Sequence, residues 1–155
     1  MRINTILNLV LFTMHYNSLI PEINVSNFQK SLDFYTSIIG FTIKYQREEP
    51  NFAFLELNES QLMIEEVRHD SWLAGELIKP YGRGINLSIR SPDIEHTKNK
   101  VIEFGLDFFE PIYDVWYETE HGEPYGQRQF IVSDPDGYLL RMTQEISLCA
   151  SSTGK

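Results

Sequence analysis

Between residues 19 and 25, Pro21, Ile23 and Val25 fall on one face and Ile20, Glu22 and Asn24 on the other, the period of a half-buried strand. The period then becomes helical, for Phe28, Leu32, Tyr35 and Ile39 recur at intervals of three or four residues. Ser26 and Gln29 have capping-box spacing at the start of this helix, and Gly40 supplies its stop. Further strands are expected at 41–47, 52–57 and 61–66, separated by Glu48-Glu49-Pro50-Asn51 and Asn58-Glu59-Ser60 turns. Residues 70–78 predict a short helix in a polar linker that ends at Lys79-Pro80.

The same order then returns. Over 84–90, Ile85, Leu87 and Ile89 alternate with Asn86, Ser88 and Arg90, and Ser91-Pro92-Asp93 opens a second helix with proline at its first position. Ile94, Val101 and Phe104 mark the buried stripe of that helix and Gly105 its end. Strands at 111–118, 127–133 and 138–143 complete the repeat, the last two joined by Asp134-Pro135-Asp136-Gly137, a strong turn signal. The fold class is therefore α+β, with two βαβββ modules whose strands form a curved, eight-stranded mixed sheet around a concave cup. A helix covers one face of each module and leaves the other open. One domain spans 19–145, divided into a first module (19–66), a linker (67–83) and a second module (84–145), with a leader at 1–18 and a tail at 146–155. The open face carries Ile20, Glu22 and Asn24 from the first strand and Asn86, Ser88 and Arg90 from the fifth, a density of polar groups that wants water or a ligand.

Charge narrows the partners. Asp and Glu outnumber Lys and Arg by 22 to 13, a formal net charge of -9, which repels phosphate backbones and removes nucleic acid as a partner. The lone cysteine, Cys149, lies in the tail, so neither a disulfide framework nor a cysteine-based zinc cluster is available, and a reducing cytoplasm is the expected compartment. The apolar stretch 3–14 is too short to span a bilayer and is interrupted by Asn4 and Asn8, so no membrane association is expected. Met14 is read as the start of the working chain, with 1–13 as a leader. His15, His69, His96 and His121 read as surface histidines.

Val25-Ser26-Asn27, Ser31-Leu32-Asp33-Phe34-Tyr35, Gly40-Phe41, Gly84-Ile85-Asn86 and Asp134-Pro135-Asp136-Gly137-Tyr138 together resemble the glyoxalase / bleomycin resistance / dioxygenase superfamily, also called the vicinal oxygen chelate proteins. The resemblance covers 19–145. It is strongest toward the bleomycin resistance branch, at Leu62-Met63-Ile64-Glu65 and at Asp134-Pro135-Asp136-Gly137-Tyr138-Leu139-Leu140-Arg141 with Gln144 beyond. In the metal-dependent members of such a family, one position each on the first, fourth, fifth and eighth strands holds the ion, and those positions read Ile20, Glu65, Asn86 and Arg141 here. One carboxylate remains where three or four N/O donors are needed, so no metal and no other cofactor is expected. A one-residue slip that substituted Glu66 for Glu65 would leave the same deficit. Arg141 is expected to fill the vacant position by pairing with Glu65.

The resemblance implies a homodimer that binds a small molecule in grooves between subunits and confers resistance by sequestration, with no catalytic residues. Aromatic side chains at Tyr113, Trp116, Tyr117 and Tyr125 surround an acidic segment, 118–123, a chemistry suited to planar cations such as bleomycin-type drugs. The expected ligand-binding residues are Phe52, Phe54, Glu65, Trp72, Asn86, Tyr113, Trp116, Tyr117, Gln127, Gln129 and Arg141. Gln127 and Gln129 share one face of their strand and Arg128 takes the opposite one, without indication of which points inward. Two other readings stand beside this one. A metal-dependent lyase or dioxygenase of the same superfamily would be revealed by stoichiometric transition metal, and a dimerising or regulatory domain by a closed, dry concavity.

Overall fold

A computed structural model describes residues 15–120, 122 and 124–147 of the chain. The first module runs β1 (Glu22–Val25), α1 (Phe28–Asp33), a π-helical segment (Phe34–Ile39), β2 (Thr42–Glu48), β3 (Asn51–Leu57) and β4 (Ser60–Glu66). The second runs β5 (Asn86–Arg90), α2 (Ile94–Glu103), β6 (Phe108–Tyr117), β7 (Tyr125–Ser133) and β8 (Leu139–Ile146). The duplicated βαβββ order is as expected. The strands form two four-stranded sheets, β1-β4-β3-β2 and β5-β8-β7-β6, each with one parallel and two antiparallel pairings, in place of one continuous eight-stranded sheet.

Alternation assigns the faces. Ile23, Val25, Leu55, Leu62 and Ile64 of the first sheet, and Ile89, Phe130, Val132, Leu140 and Met142 of the second, turn toward the helices and join one core with Phe28, Leu32, Tyr35, Ile39, Ile94 and Val101. Full burial of each such side chain contributes about 1.5–3 kcal/mol. The π-helical segment packs against α2, so the helical layers of the two modules meet. Strand β3 is buried on both faces from Phe52 to Leu55 because its second face is also covered, by Tyr16 stacked on Phe54 at 5.2 Å and by Arg47 over Phe52 at 4.4 Å.

Four local expectations are corrected. Asn27, not Ser26, caps α1, accepting from Lys30 N at 2.9 Å. Asp93, not Pro92, opens α2, accepting from His96 N at 2.9 Å, so the proline lies one residue outside the cap. Residues 70–78 form no helix; a turn held by Ser71 N to Arg68 O, and by Arg68 N to the Ser71 hydroxyl, takes up the backbone, and Trp72 is left without a surface to pack against. Phe104 lies outside the buried stripe because α2 ends at Glu103 and leaves its ring half exposed.

Residues 15–17 of the expected leader are docked. Gln61, buried on β4, accepts from Asn17 N at 2.7 Å and donates to His15 O at 2.8 Å. The proposed start at Met14, the leader 1–13, His121 and Cys149 lie outside the described residues.

The two modules are locked at the Asp134-Pro135-Asp136-Gly137 turn. Asp134 Oδ1 accepts from the backbone of Asp136 and Tyr138, while its Oδ2 accepts from the Tyr35 hydroxyl at 2.9 Å. Asp136 reaches into the first module, accepting from Ser26 N at 2.8 Å and from the Ser26 hydroxyl, and it pairs with Lys79 at 2.9 Å. Tyr138 donates to Asn24 O at 3.1 Å. Burial pushes the Asp134 carboxyl upward despite these donors, and burial followed by the Asp134 charge raises the Tyr35 phenol well above its ordinary range. Burial also acts to raise Asp136, but the donors from Ser26 and Lys79 prevail and hold it below the usual carboxylate value. Burial, then the Asp134 and Asp136 charges, raises the Tyr138 phenol to about 12.

Candidate functional site

The open face of the first sheet is built from one transverse row. Backbone register sets Asn24 of β1 beside Glu65 of β4, Glu65 beside Phe52 of β3, and Phe52 beside Arg47 of β2. Arg47 folds back along this row, its guanidinium carbon 4.4 Å from the Phe52 ring centre and its Nη2 2.9 Å from Glu65 Oε2. A groove of about 600 Å³ opens above, lined by Glu22, Asn24, Arg47, Glu49, Pro50 and Glu65 from the sheet and by Arg68, Asp70, Ser71 and Trp72 from the linker. The linker forms one wall, and Trp72 holds its indole 98% exposed there.

The charge of the groove does not cancel. Arg47 is committed to Glu65 and Arg68 to Asp70 at 3.2 Å, whereas Glu22 and Glu49 have no cationic partner among the described residues. Two uncompensated carboxylates beside an exposed indole attract a cation with a flat apolar body.

The second sheet resolves the orientation of β7. Phe130 and Val132 are buried toward the helices, and Arg128 on that same face pairs with Asp114 at 2.7 Å and reaches Glu95 of α2 at 3.5 Å. The Arg128 hydrogen bond draws the Asp114 carboxyl below its ordinary range. Gln127 and Gln129 therefore face away from the helices, in register with Val115 and Tyr113, and Gln129 donates its amide to the Tyr113 hydroxyl. Arg141 shares this open face. Trp116 takes the opposite one, where its ring lies over Gly126; a Cβ built on Gly126 would stand 2.3 Å from Trp116 Cζ3. Tyr117 and Tyr125 stack at 6.3 Å near the free end of the hairpin.

The expected ligand residues thus divide. Glu65 and Trp72 line the groove, and Phe52 lies beneath Arg47 on the same face. Phe54 is under Tyr16. Asn86 borders a second, smaller cavity of about 240 Å³ with Asn17, Pro21, Gln61 and Ser88. Tyr113, Tyr117, Gln127, Gln129 and Arg141 lie on the second sheet, away from the groove, and Trp116 is behind it. Arg47, Glu49 and Arg68 were not among the expected residues, because the register that sets Arg47 level with Phe52 and Glu65 is written in no single strand.

The expected Arg141–Glu65 pair is not formed; Arg47, in the same transverse row as Glu65, takes the carboxylate, and Arg141 stands on β8 of the other sheet. Arg141 makes no ion pair among the described residues, and its buried Nε lacks a hydrogen-bond partner, as does the buried Oε1 of Gln129. Glu66 is no substitute for Glu65, for it turns to the helix side, accepting from Phe28 N at 3.3 Å and from Asn51 at 2.6 Å. The donor chemistry at the four family positions, a hydrocarbon, an engaged carboxylate, an amide and a guanidinium, does not fit a divalent ion. Among the described residues no three His, Cys, Asp or Glu side chains come together at ligand spacing. No helix of the described residues is long and apolar enough to cross a membrane.

Comparison with known proteins agrees with this architecture. The chain is 26% identical over 128 residues to the bleomycin resistance protein of Geobacillus stearothermophilus, covering 82% of this chain and 96% of that protein, and matches the bleomycin resistance protein of Staphylococcus aureus equally. A protein of unknown function from Agrobacterium tumefaciens shares the fold with a TM-score of 0.62 at 19% identity, over 88% of this chain and 99% of that one. TioX from Micromonospora sp. ML1 does so with a TM-score of 0.58 at 15% identity, over 85% and 98%. The profile of the Glyoxalase/Bleomycin resistance protein/Dioxygenase superfamily matches residues 13–142, and the chain belongs to that superfamily.

Proposed function

We propose that this protein binds a small, planar, cationic molecule of the bleomycin type and confers resistance by sequestration, working in the cytoplasm as a homodimer. The observation that carries this reading is the groove on the first sheet, where unpaired Glu22 and Glu49 stand with the exposed Trp72. Relatives named for bleomycin resistance supply the ligand class. Five of the other expected residues, Tyr113, Tyr117, Gln127, Gln129 and Arg141, lie on an open face that a second subunit can bring to the groove. Trp116, buttressed behind β7, is assigned to that hairpin's packing.

Isothermal titration of the whole chain with bleomycin tests the proposal. Saturable binding is expected, weakened about 3- to 30-fold in Trp72→Ala through loss of one stacking partner. Absence of heat at millimolar drug would reject this ligand, and a monomer by light scattering at the concentration that binds drug would reject the dimer.

A further inference from the structure

We propose that Arg47 is a built-in pseudo-ligand, and that the group it stands in for, a guanidinium or amidinium, is what the groove recognises in its guest. The inference rests on the reading of this groove as a cation site and names the chemistry of that cation. Three features carry it. Glu65 and Phe52, adjacent in register on β4 and β3, present a carboxylate and an aromatic face to one point above the sheet, the two elements that recognise a flat cation. That point is filled from within the chain: the Arg47 guanidinium is 4.4 Å from the Phe52 centroid and 2.9 Å from Glu65. Arg47, with the Tyr45 ring 6.2 Å from that of Phe52, leaves Phe52 only 7% exposed on the open face, while the Arg47 side chain itself remains 41% exposed.

An arginine so exposed is held weakly, since surface ion pairs and exposed cation–π contacts each contribute little. It has room to leave. The groove adjoins it, and Glu49, two residues along at the turn, has no cationic partner among the described residues and offers the displaced guanidinium a carboxylate. A guest carrying its own planar cation can therefore take Phe52 and Glu65 while its body extends toward Trp72. A tetrahedral ammonium of equal charge has neither the flat face for the ring nor the paired N–H geometry for the carboxylate.

Benzamidinium titrated into the full chain, followed by tryptophan fluorescence and calorimetry, tests the proposal, with cyclohexylammonium as the non-planar control. Removal of the internal competitor in Arg47→Ala is expected to tighten benzamidinium binding about 3- to 30-fold and to tighten cyclohexylammonium less. Glu65→Gln added to that variant should abolish the gain. Arg47→Met, which keeps an apolar cover on Phe52 while removing the charge, serves if the alanine variant does not fold, and is expected to show part of the gain. Unchanged or weaker benzamidinium binding in variants that remain folded, with bleomycin still bound by the unaltered chain, would overturn the role of Arg47 alone. Failure of every variant and of the unaltered chain to bind either amidinium or drug would overturn the cation site with it.

Discussion

Replacing Asp134 separates hydrogen-bond geometry from charge at the junction of the two modules. Its carboxylate accepts three hydrogen bonds, from Asp136 N at 2.9 Å, Tyr138 N at 2.8 Å and the Tyr35 hydroxyl at 2.9 Å, and Tyr35 is fully buried. Asp134→Ala strands all three donors, and at about 1–3 kcal/mol for each unsatisfied buried group, partly relieved by water entry and by loss of a buried charge, the expected cost is about 3–6 kcal/mol. That is a large share of the roughly 5–15 kcal/mol available to a domain. Asp134→Asn keeps Oδ1 for both backbone donors and turns its amide toward Tyr35, whose hydroxyl rotates to accept, so its cost is expected to stay within about 1 kcal/mol.

Urea unfolding at neutral pH reads the difference, as a midpoint lower by about 2 M for the alanine variant with an unchanged slope. The pH dependence supplies a second readout. Burial raises Asp134 in the folded state, so its contribution is fully present below the unfolded value and is lost as pH rises through the folded one. Asp134→Asn should remove this loss from about pH 4 upward. The lowered Asp136 acts in the opposite sense, stabilising above the unfolded value and failing as pH falls through its folded one, and that acid limb should persist in the variant. An asparagine variant as damaged as the alanine one, or an alanine variant within 1 kcal/mol of the parent, would refute the reasoning.

Arg141→Met should leave stability unchanged or raise it by about 1 kcal/mol in urea unfolding, because it removes a buried Nε–H that has no partner; an Arg141–Glu65 pair would instead make the change costly. Gly126→Ala should push the Trp116 ring out of place, seen as a red-shifted indole emission and a loss of about 1–3 kcal/mol, since the new methyl meets the ring at 2.3 Å and Ile146 O at 2.7 Å. Gln61→Leu should free residues 15–17, raising proteolytic cleavage there, and should let the Glu56 carboxyl rise toward its ordinary value in an NMR titration, because the Gln61 hydrogen bond is the largest influence holding it down.

What pattern reached, and what it missed, follows from the range of the interactions. Helix and strand periods in Phe28, Leu32, Tyr35 and Ile39, and in Ile85, Leu87 and Ile89, are local, and they located the repeated modules. Ser26 misled because capping-box spacing is satisfied by two residues alone, whereas the hydroxyl was claimed by Asp136, 110 residues away. The cluster of Tyr113, Trp116 and Tyr117 looked like one surface, but a strand sends neighbouring side chains to opposite faces, so Trp116 lies over Gly126 while Tyr113 and Tyr117 face the other way. Arg47 could not be singled out without knowing that β2, β3 and β4 bring it level with Phe52 and Glu65.

The lock between the modules runs in one direction. Ser26 of the first half grips Asp136 of the second, while its counterpart Ser91 spends its hydroxyl on Thr97 within its own half, and the α2 backbone at Ile94 is met by Gln144 of the neighbouring strand. At this joint the halves therefore meet as a plug and a socket and not through two equal couplings. Exchanging the order of the halves along the chain by circular permutation should preserve the fold only if the new joint keeps Asp136 opposite Ser26.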